Sequence, residues 1–166
     1  MHKIIILLLI CTNLLMSIDY KYKDLKDFKR LSNFQSVKEF DAYLDTYTQD
    51  CLDNTGGGSG GIQCFIYTDV WDRELNTYYM LLKKQLNKDG AEELRTTQSN
   101  WLKLRDNTRS LSFKLADRKY EGQSGTMFSL MRVGEISDIM YPIIKERAIT
   151  LKHLYELSIE KLELTL

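Results

Sequence analysis

The chain has 166 residues but one proline, two histidines and three cysteines. Five of its nine glycines fall in a single cluster, residues 56–61. Sparse proline and clustered glycine exclude a turn-rich β-sandwich, which needs a turn signal every ten residues or so. So few histidines and cysteines leave little material for metal or nucleophile chemistry. No sign of charge is in excess: 23 basic residues face 23 acidic ones. A long polyanion-binding face normally shows as a basic surplus, so a nucleic-acid partner is not expected. What is present is 43% hydrophobic residues, with ten tyrosines and six phenylalanines. That is enough apolar surface for one packed core, and the length suits one domain.

The first residues have the layout of a secretory signal peptide. Met1-His2-Lys3 gives a positive start, Ile4 to Ile10 is an unbroken apolar run, and Ser17 is a small residue at a plausible cleavage point. The run is too short and interrupted for a membrane span, so no integral span is expected in the mature form. Cys11 raises a lipid-anchor alternative, although Ile10 stands before it where a small residue is usual. Loss of residues 1–17 removes Lys3 and no acid, leaving 22 basic and 23 acidic groups and a net charge of −1. It also leaves one histidine, His153, and two cysteines, Cys51 and Cys64. Export means an oxidising compartment, periplasmic or extracellular, so the pair reads as one disulfide. Closing a loop of about 14 residues contributes roughly 3 kcal/mol in the chain-entropy picture.

Periodicity predicts an all-α fold, a small antiparallel helical bundle with one disulfide. Residues 1–17 form the leader, 18–35 a charged and aromatic lead-in that is extended or partly helical, and 36–166 the helical domain. Ser36 with Glu39 is a capping-box pattern, and Val37, Phe40, Tyr43, Leu44 and Tyr47 follow at helical spacing to about Cys51. Residues 54–61 read as a flexible tether pinned by the cysteines, because ordering glycine costs most entropy. No Gly-Lys-Ser/Thr follows, so the stretch is not a phosphate loop. A second helix starts with Thr68 or Asp69 as cap and carries a stripe of Trp71, Leu75, Tyr78, Tyr79, Leu82 and Leu86. Gly90 is placed as its left-handed terminator. A third helix runs from about Ala91 to Ala116, with Leu94, Trp101, Leu104, Thr108, Leu111 and Leu115 as its apolar stripe. The short connection predicts antiparallel packing of these two. The next loop is Lys119, Tyr120, Glu121, Gly122, Gln123, Ser124 and Gly125, with Thr126 as cap of the last segment. Pro142 is expected to kink or split that segment before it runs on to about Leu162.

Catalytic constellations are mostly removed by arithmetic. A serine triad would need His153, inside a helical run, and no Gly-x-Ser-x-Gly occurs. Paired cysteines leave too few ligands for a zinc site. Acidic residues are abundant, but nothing marks a glycosidase pair. No enzyme, cofactor or metal is expected. One constellation stands out: Gln98, Trp101 and Arg105 share a helical face, followed by Asp106. Its plain reading is structural, with Trp101 in the core and Arg105 reaching a carboxylate on a neighbouring helix; Asp72, Glu74 and Asn76 are the candidate partners. Arg147 is read the same way.

These residues also carry a resemblance. Asp72-Arg73-Glu74-Leu75-Asn76-Thr77-Tyr78-Tyr79 resembles the D-x-x-L-N-x-x-Y segment of the lysozyme inhibitor LprI-like family, and Gln98 to Asp106 resembles its Q-x-x-W-x-x-x-R-D segment. Gly122 to Thr126 is similar to its glycine-serine loop, Arg147 to an arginine of its last helix, and Cys51 and Cys64 to its N-terminal cysteine pair. The likeness spans about residues 50–155. Two further cysteines common in the family are missing here, and the 56–61 glycines are an unusual insertion. The resemblance implies a small, secreted all-α domain of the bacterial envelope, in a family some of whose members inhibit lysozyme. The expected function is binding of a protein, lysozyme or another peptidoglycan hydrolase, with a rigid disulfide-pinned bundle presenting a loop to its cleft. The 119–125 loop is the first choice and 56–61 the second; Asp72, Leu75, Asn76, Gln98, Trp101, Arg105, Asp106 and Arg147 are read as structural. The alternative is an envelope interaction or immunity-type module with a different partner.

Overall fold

The computed structural model describes residues 20–55 and 58–160, and among them there is helix and no strand. Helix α1 is Val37–Thr55, α2 the single turn Gly58–Gly61, α3 Tyr67–Gln85, α4 Lys88–Lys119 and α5 Thr126–Ile159. The all-α expectation and the disulfide hold: Cys51 and Cys64 are joined, with Cα atoms 5.6 Å apart. The expected leader, including Cys11, lies outside the described residues, as do Gly56 and Gly57 of the expected tether and the end of the chain beyond residue 160.

Ring contacts fix the directions of the helices. Tyr67 meets Tyr141 at 5.4 Å and Tyr78 meets Tyr155 at 6.2 Å, so α3 and α5 rise in parallel. Helix α1 runs against α3, because Phe40 packs edge-on to Trp71 at 5.1 Å while Tyr67 donates to Asp45 at 2.6 Å. Helix α4 runs opposite to both α3 and α5. Sequence order suggests an α3–α4 pair, yet α3 packs most extensively on α5, and α4 rests on α5. The shared core is Phe40, Leu44, Trp71, Leu75, Ile144 and Leu151, all 1% exposed or less. The lead-in joins it: Phe28 and Leu31 are buried in the same cluster, at two short 3-10 turns, Leu25–Asp27 and Leu31–Asn33.

Several boundaries differ from the sequence reading, each for a local reason. Ser36 does accept from the Glu39 amide, but the Glu39 carboxylate takes the Gln35 amide, one residue outside a true capping box. Helix α3 starts at Tyr67, so neither Thr68 nor Asp69 caps it; the preceding Ile66 offers no side-chain bond. Gly90 does not end α3. It lies in the first turn of α4, where its amide bonds the Asn87 side chain at 2.9 Å, making Asn87 the N-cap. Gly58 to Gly61 is a helical turn rather than a loose tether. A Cβ at Gly60 would sit 3.2 Å from the Tyr22 hydroxyl, and that hydroxyl donates to the Gly60 carbonyl at 3.0 Å. The close approach of the lead-in, together with the disulfide that pins this segment, offsets the entropy cost. Helix α5 continues through Pro142 without a break. Proline removes one backbone donor, but Met140 and Ile144 on either side are buried and hold the segment helical.

The largest departure concerns the third helix. Leu104, Leu111 and Leu115 do not face the core; they are 61%, 57% and 55% exposed. The buried face of α4 is Leu94, Gln98, Ser112 and Ala116.

Two tyrosines carry a testable charge effect. Burial pushes Tyr67 up to about 12, with its acceptor Asp45 adding to the shift, and burial with the nearby Glu74 pushes Tyr78 to about 12. A folded-state value above the unfolded one favours the neutral form. The stabilisation is therefore whole below the ordinary tyrosine value near 10 and disappears as pH rises from there through about 12. Absorbance titration at 295 nm should show late-ionising tyrosines, with unfolding in the same window. Phenylalanine at both positions should shrink the late phase and leave the part due to Tyr20, which burial also raises to about 12.

Candidate functional site

Residues 119–125 cap the far end of the α4–α5 hairpin. The disulfide segment reaches α5 near Val133 and Met140, where Ile62 and Phe65 share a groove with Arg109 and Phe113. Every hydrogen bond, ion pair and ring contact described for residues 114–132 stays within the hairpin. Eight α5 residues, 126–133, carry the tip about 12 Å past the disulfide loop.

The loop is held from behind. Tyr120 is 5% exposed and packs on Phe128 at 6.2 Å. Its hydroxyl donates to Glu135 Oε1 at 2.6 Å, and the Lys119 ammonium reaches the same oxygen. Those two donors hold the Glu135 carboxyl below the usual carboxylate range. The Arg132 guanidinium donates to the Tyr120 carbonyl at 2.8 Å and to the Gln123 carbonyl at 3.4 Å. Gly122 at φ +74° and Gly125 at φ +102° adopt backbone that side chains rarely reach, although space around both is open. Glu121, Gly122, Gln123, Ser124 and Gly125 are all exposed. Of the expected loop residues, Tyr120 alone turns inward and serves as a peg. The latch beneath, Phe128, Arg132 and Glu135, is absent from the sequence reading. Their i, i+4, i+7 spacing, on one face just after a glycine loop, is the signal that could have found them.

The motif residues converge elsewhere, midway along the bundle. Arg105 donates to Asp106 at 2.9 Å and lies 3.7 Å from Asp72, so of the three candidate partners Asp72 is the one it meets. Asn76 instead steadies Asp72, donating to its carboxylate at 3.0 Å. Glu74 points the other way, to Arg30, Arg73 and the Leu31 amide. The Arg105 and Arg147 guanidinium groups sit over the Trp101 ring, at 5.3 and 6.0 Å. Arg147 also donates to the buried Gln98 carbonyl oxygen at 3.0 Å. Leu75 lies in the core beneath. One chain of contacts therefore runs Asn76–Asp72–Arg105–Trp101–Arg147–Gln98 and ties α3, α4 and α5 together. Helix α4 buries little apolar surface of its own, so this clamp takes the part that leucines play elsewhere.

A family model described as Lysozyme inhibitor LprI matches residues 38–151. The chain belongs to the lysozyme inhibitor LprI family. The match takes in α1, the disulfide, the clamp and the hairpin tip, and leaves the lead-in outside. No curated protein and no solved structure matches the chain. In this LprI-family chain the clamp residues join α3, α4 and α5, and the 119–125 loop lies at the end of the α4–α5 hairpin. Among the described residues no helix is long and apolar enough to cross a membrane.

Proposed function

We propose that this protein is exported to the periplasm or beyond and inhibits lysozyme or a related peptidoglycan hydrolase by inserting residues 119–125 into the enzyme's cleft. The observation that carries this reading is the latch of Tyr120, Arg132 and Glu135 beneath an exposed loop on a projecting hairpin. A loop fixed before binding loses little ordering entropy on entering a cleft. Met127 and Met131 flank it, 62% and 45% exposed, and offer adaptable apolar contact around its base.

Lysozymes are usually basic, while the mature chain carries a net charge of −1. Long-range steering therefore adds little, and inhibition should vary weakly with salt. The test is a cell-wall lysis assay with and without the purified protein. Lysis should slow at near-stoichiometric inhibitor. A Ser124→Trp substitution, which blocks the loop without touching the latch, should weaken inhibition by more than about tenfold, comparable to spoiling one well-packed residue at an interface centre. Unchanged lysis rates at large molar excess, across several lysozyme classes, would reject the proposal.

An interaction or immunity-type module with another partner is the second reading. The groove of about 310 Å³ between Phe65, Arg109, Phe113 and Ile136 favours it, since it could seat one apolar partner side chain. Pull-down from envelope extract separates the two, by whether the recovered partner is a hydrolase.

A further inference from the structure

Helix α4 carries a second stripe that the bundle does not use. Leu104, Leu111 and Leu115 lie within about 40° of one another around the helix, and each is more than half exposed. Lys103, Lys114 and Arg118 border them, roughly 40–100° to one side. All three are exposed, and none of their side chains has an ion-pair or hydrogen-bond partner among the described residues. Asp106 and Asp117, the acids of this stretch, sit roughly 140–160° away from the leucines. The result is a flat run of about 21 Å of helix, apolar along its middle, positive along one border and free of acid.

We propose that this face of α4 lies on the surface of an anionic phospholipid bilayer. The leucines enter the boundary between headgroups and acyl chains, and Lys103, Lys114 and Arg118 meet lipid phosphates. Charge decides between this occupant and a second copy of the chain. An antiparallel pair of copies would match each border with itself, setting three unpaired cations against three more. A bilayer bearing phosphatidylglycerol gives the same cations counter-charges and gives the leucines an apolar bed. The face shares no residue with the tip loop, and the proposal stands or falls independently of hydrolase inhibition.

Vesicle co-sedimentation tests it, using the mature chain that the leader pattern implies, residues 18–166. The protein should pellet with vesicles of phosphatidylcholine and phosphatidylglycerol, far less with phosphatidylcholine alone, and less as salt rises. Lys103→Glu with Lys114→Glu should lower the partition coefficient at least about 25-fold, at about fivefold for each cation near the surface. Leu111→Ser with Leu115→Ser should lower it about tenfold or more. Both pairs are exposed, so helix content and melting temperature should not change. Absence of adsorption at low salt overturns the proposal, as does adsorption that both double variants leave intact. A solution dimer that the leucine variant dissolves, or capture of an acidic protein without vesicle binding, overturns it in favour of that other occupant.

Discussion

Glu74→Ala should destabilise the protein by about 3–4 kcal/mol, the range for breaking a buried ion pair from one side. Glu74 is 1% exposed. One carboxylate oxygen accepts from Arg30 at 3.3 Å and from the Arg73 side chain at 2.8 and 3.0 Å; the other accepts the Leu31 amide at 3.3 Å. Alanine would strand the largely buried Arg73 guanidinium and the Leu31 amide together. Arg73 also donates to the carbonyls of Leu25, Phe28 and Lys29, at 2.7, 3.0 and 2.8 Å. The damage should therefore concentrate in residues 20–34. Thermal melting should fall by about 6–15 °C for a chain of this size. Hydrogen exchange should rise first across the lead-in and the facing turns of α3. Glu74→Gln keeps the shape and two acceptor lone pairs, so it should lose less. A melting shift below about 2 °C for alanine would mean that the lead-in is not held by this carboxylate.

Replacing both Cys51 and Cys64 with alanine should cost about 3 kcal/mol, the entropy of a loop of this length released in the unfolded chain. The cysteines are 13 residues apart and fully buried. The structure adds a second consequence. The disulfide holds Gly60 against Tyr22, whose hydroxyl bonds the Gly60 carbonyl. Tyr20 lies edge-on to Tyr22 and donates to Asp50 at 3.3 Å. Cutting the link should free the glycine turn and the start of the lead-in together. Melting should drop about 6–12 °C. Added reductant should lower the wild-type melting temperature towards that of the variant and leave the variant unchanged. Equal melting temperatures with and without reductant, in protein shown by mass to be oxidised, would contradict the assignment.

Much of this architecture is legible in the residues alone, and the misses share a cause. Apolar residues at helical spacing locate α1 and α3, where one stripe is plainly dominant. Two cysteines left after the expected leader point to the disulfide. Helix α4 is different because it has two stripes. Periodicity favours the one rich in leucine, Leu104, Leu111 and Leu115. The helix's rotation is instead set by its polar anchors, Gln98 with Arg147 near one end and Tyr120 with Glu135 at the other. Those bonds join residues 49 and 15 apart, which no local pattern displays. Glu74 shows the same limit: Arg30, Arg73 and Arg105 are all chemically suitable, and only the packing of the lead-in selects the first two. In the candidate site, the glycines and exposed polar residues of 119–125 mark the loop, but nothing in that segment shows that its rigidity comes from Arg132 and Glu135 on the next helix.

The seating of the lead-in bears on the order of assembly. Residues 20–34 are made early, yet the groups that grip them, Arg73 and Glu74, arrive more than forty positions later. Phe28 meets Tyr43 and Tyr47 of α1 as soon as that helix exists, but until α3 has been synthesised the segment lacks the carboxylate and guanidinium that lock its backbone. Locking of residues 20–34 is thus a late event in assembly, completed only when α3 delivers the groups that hold them.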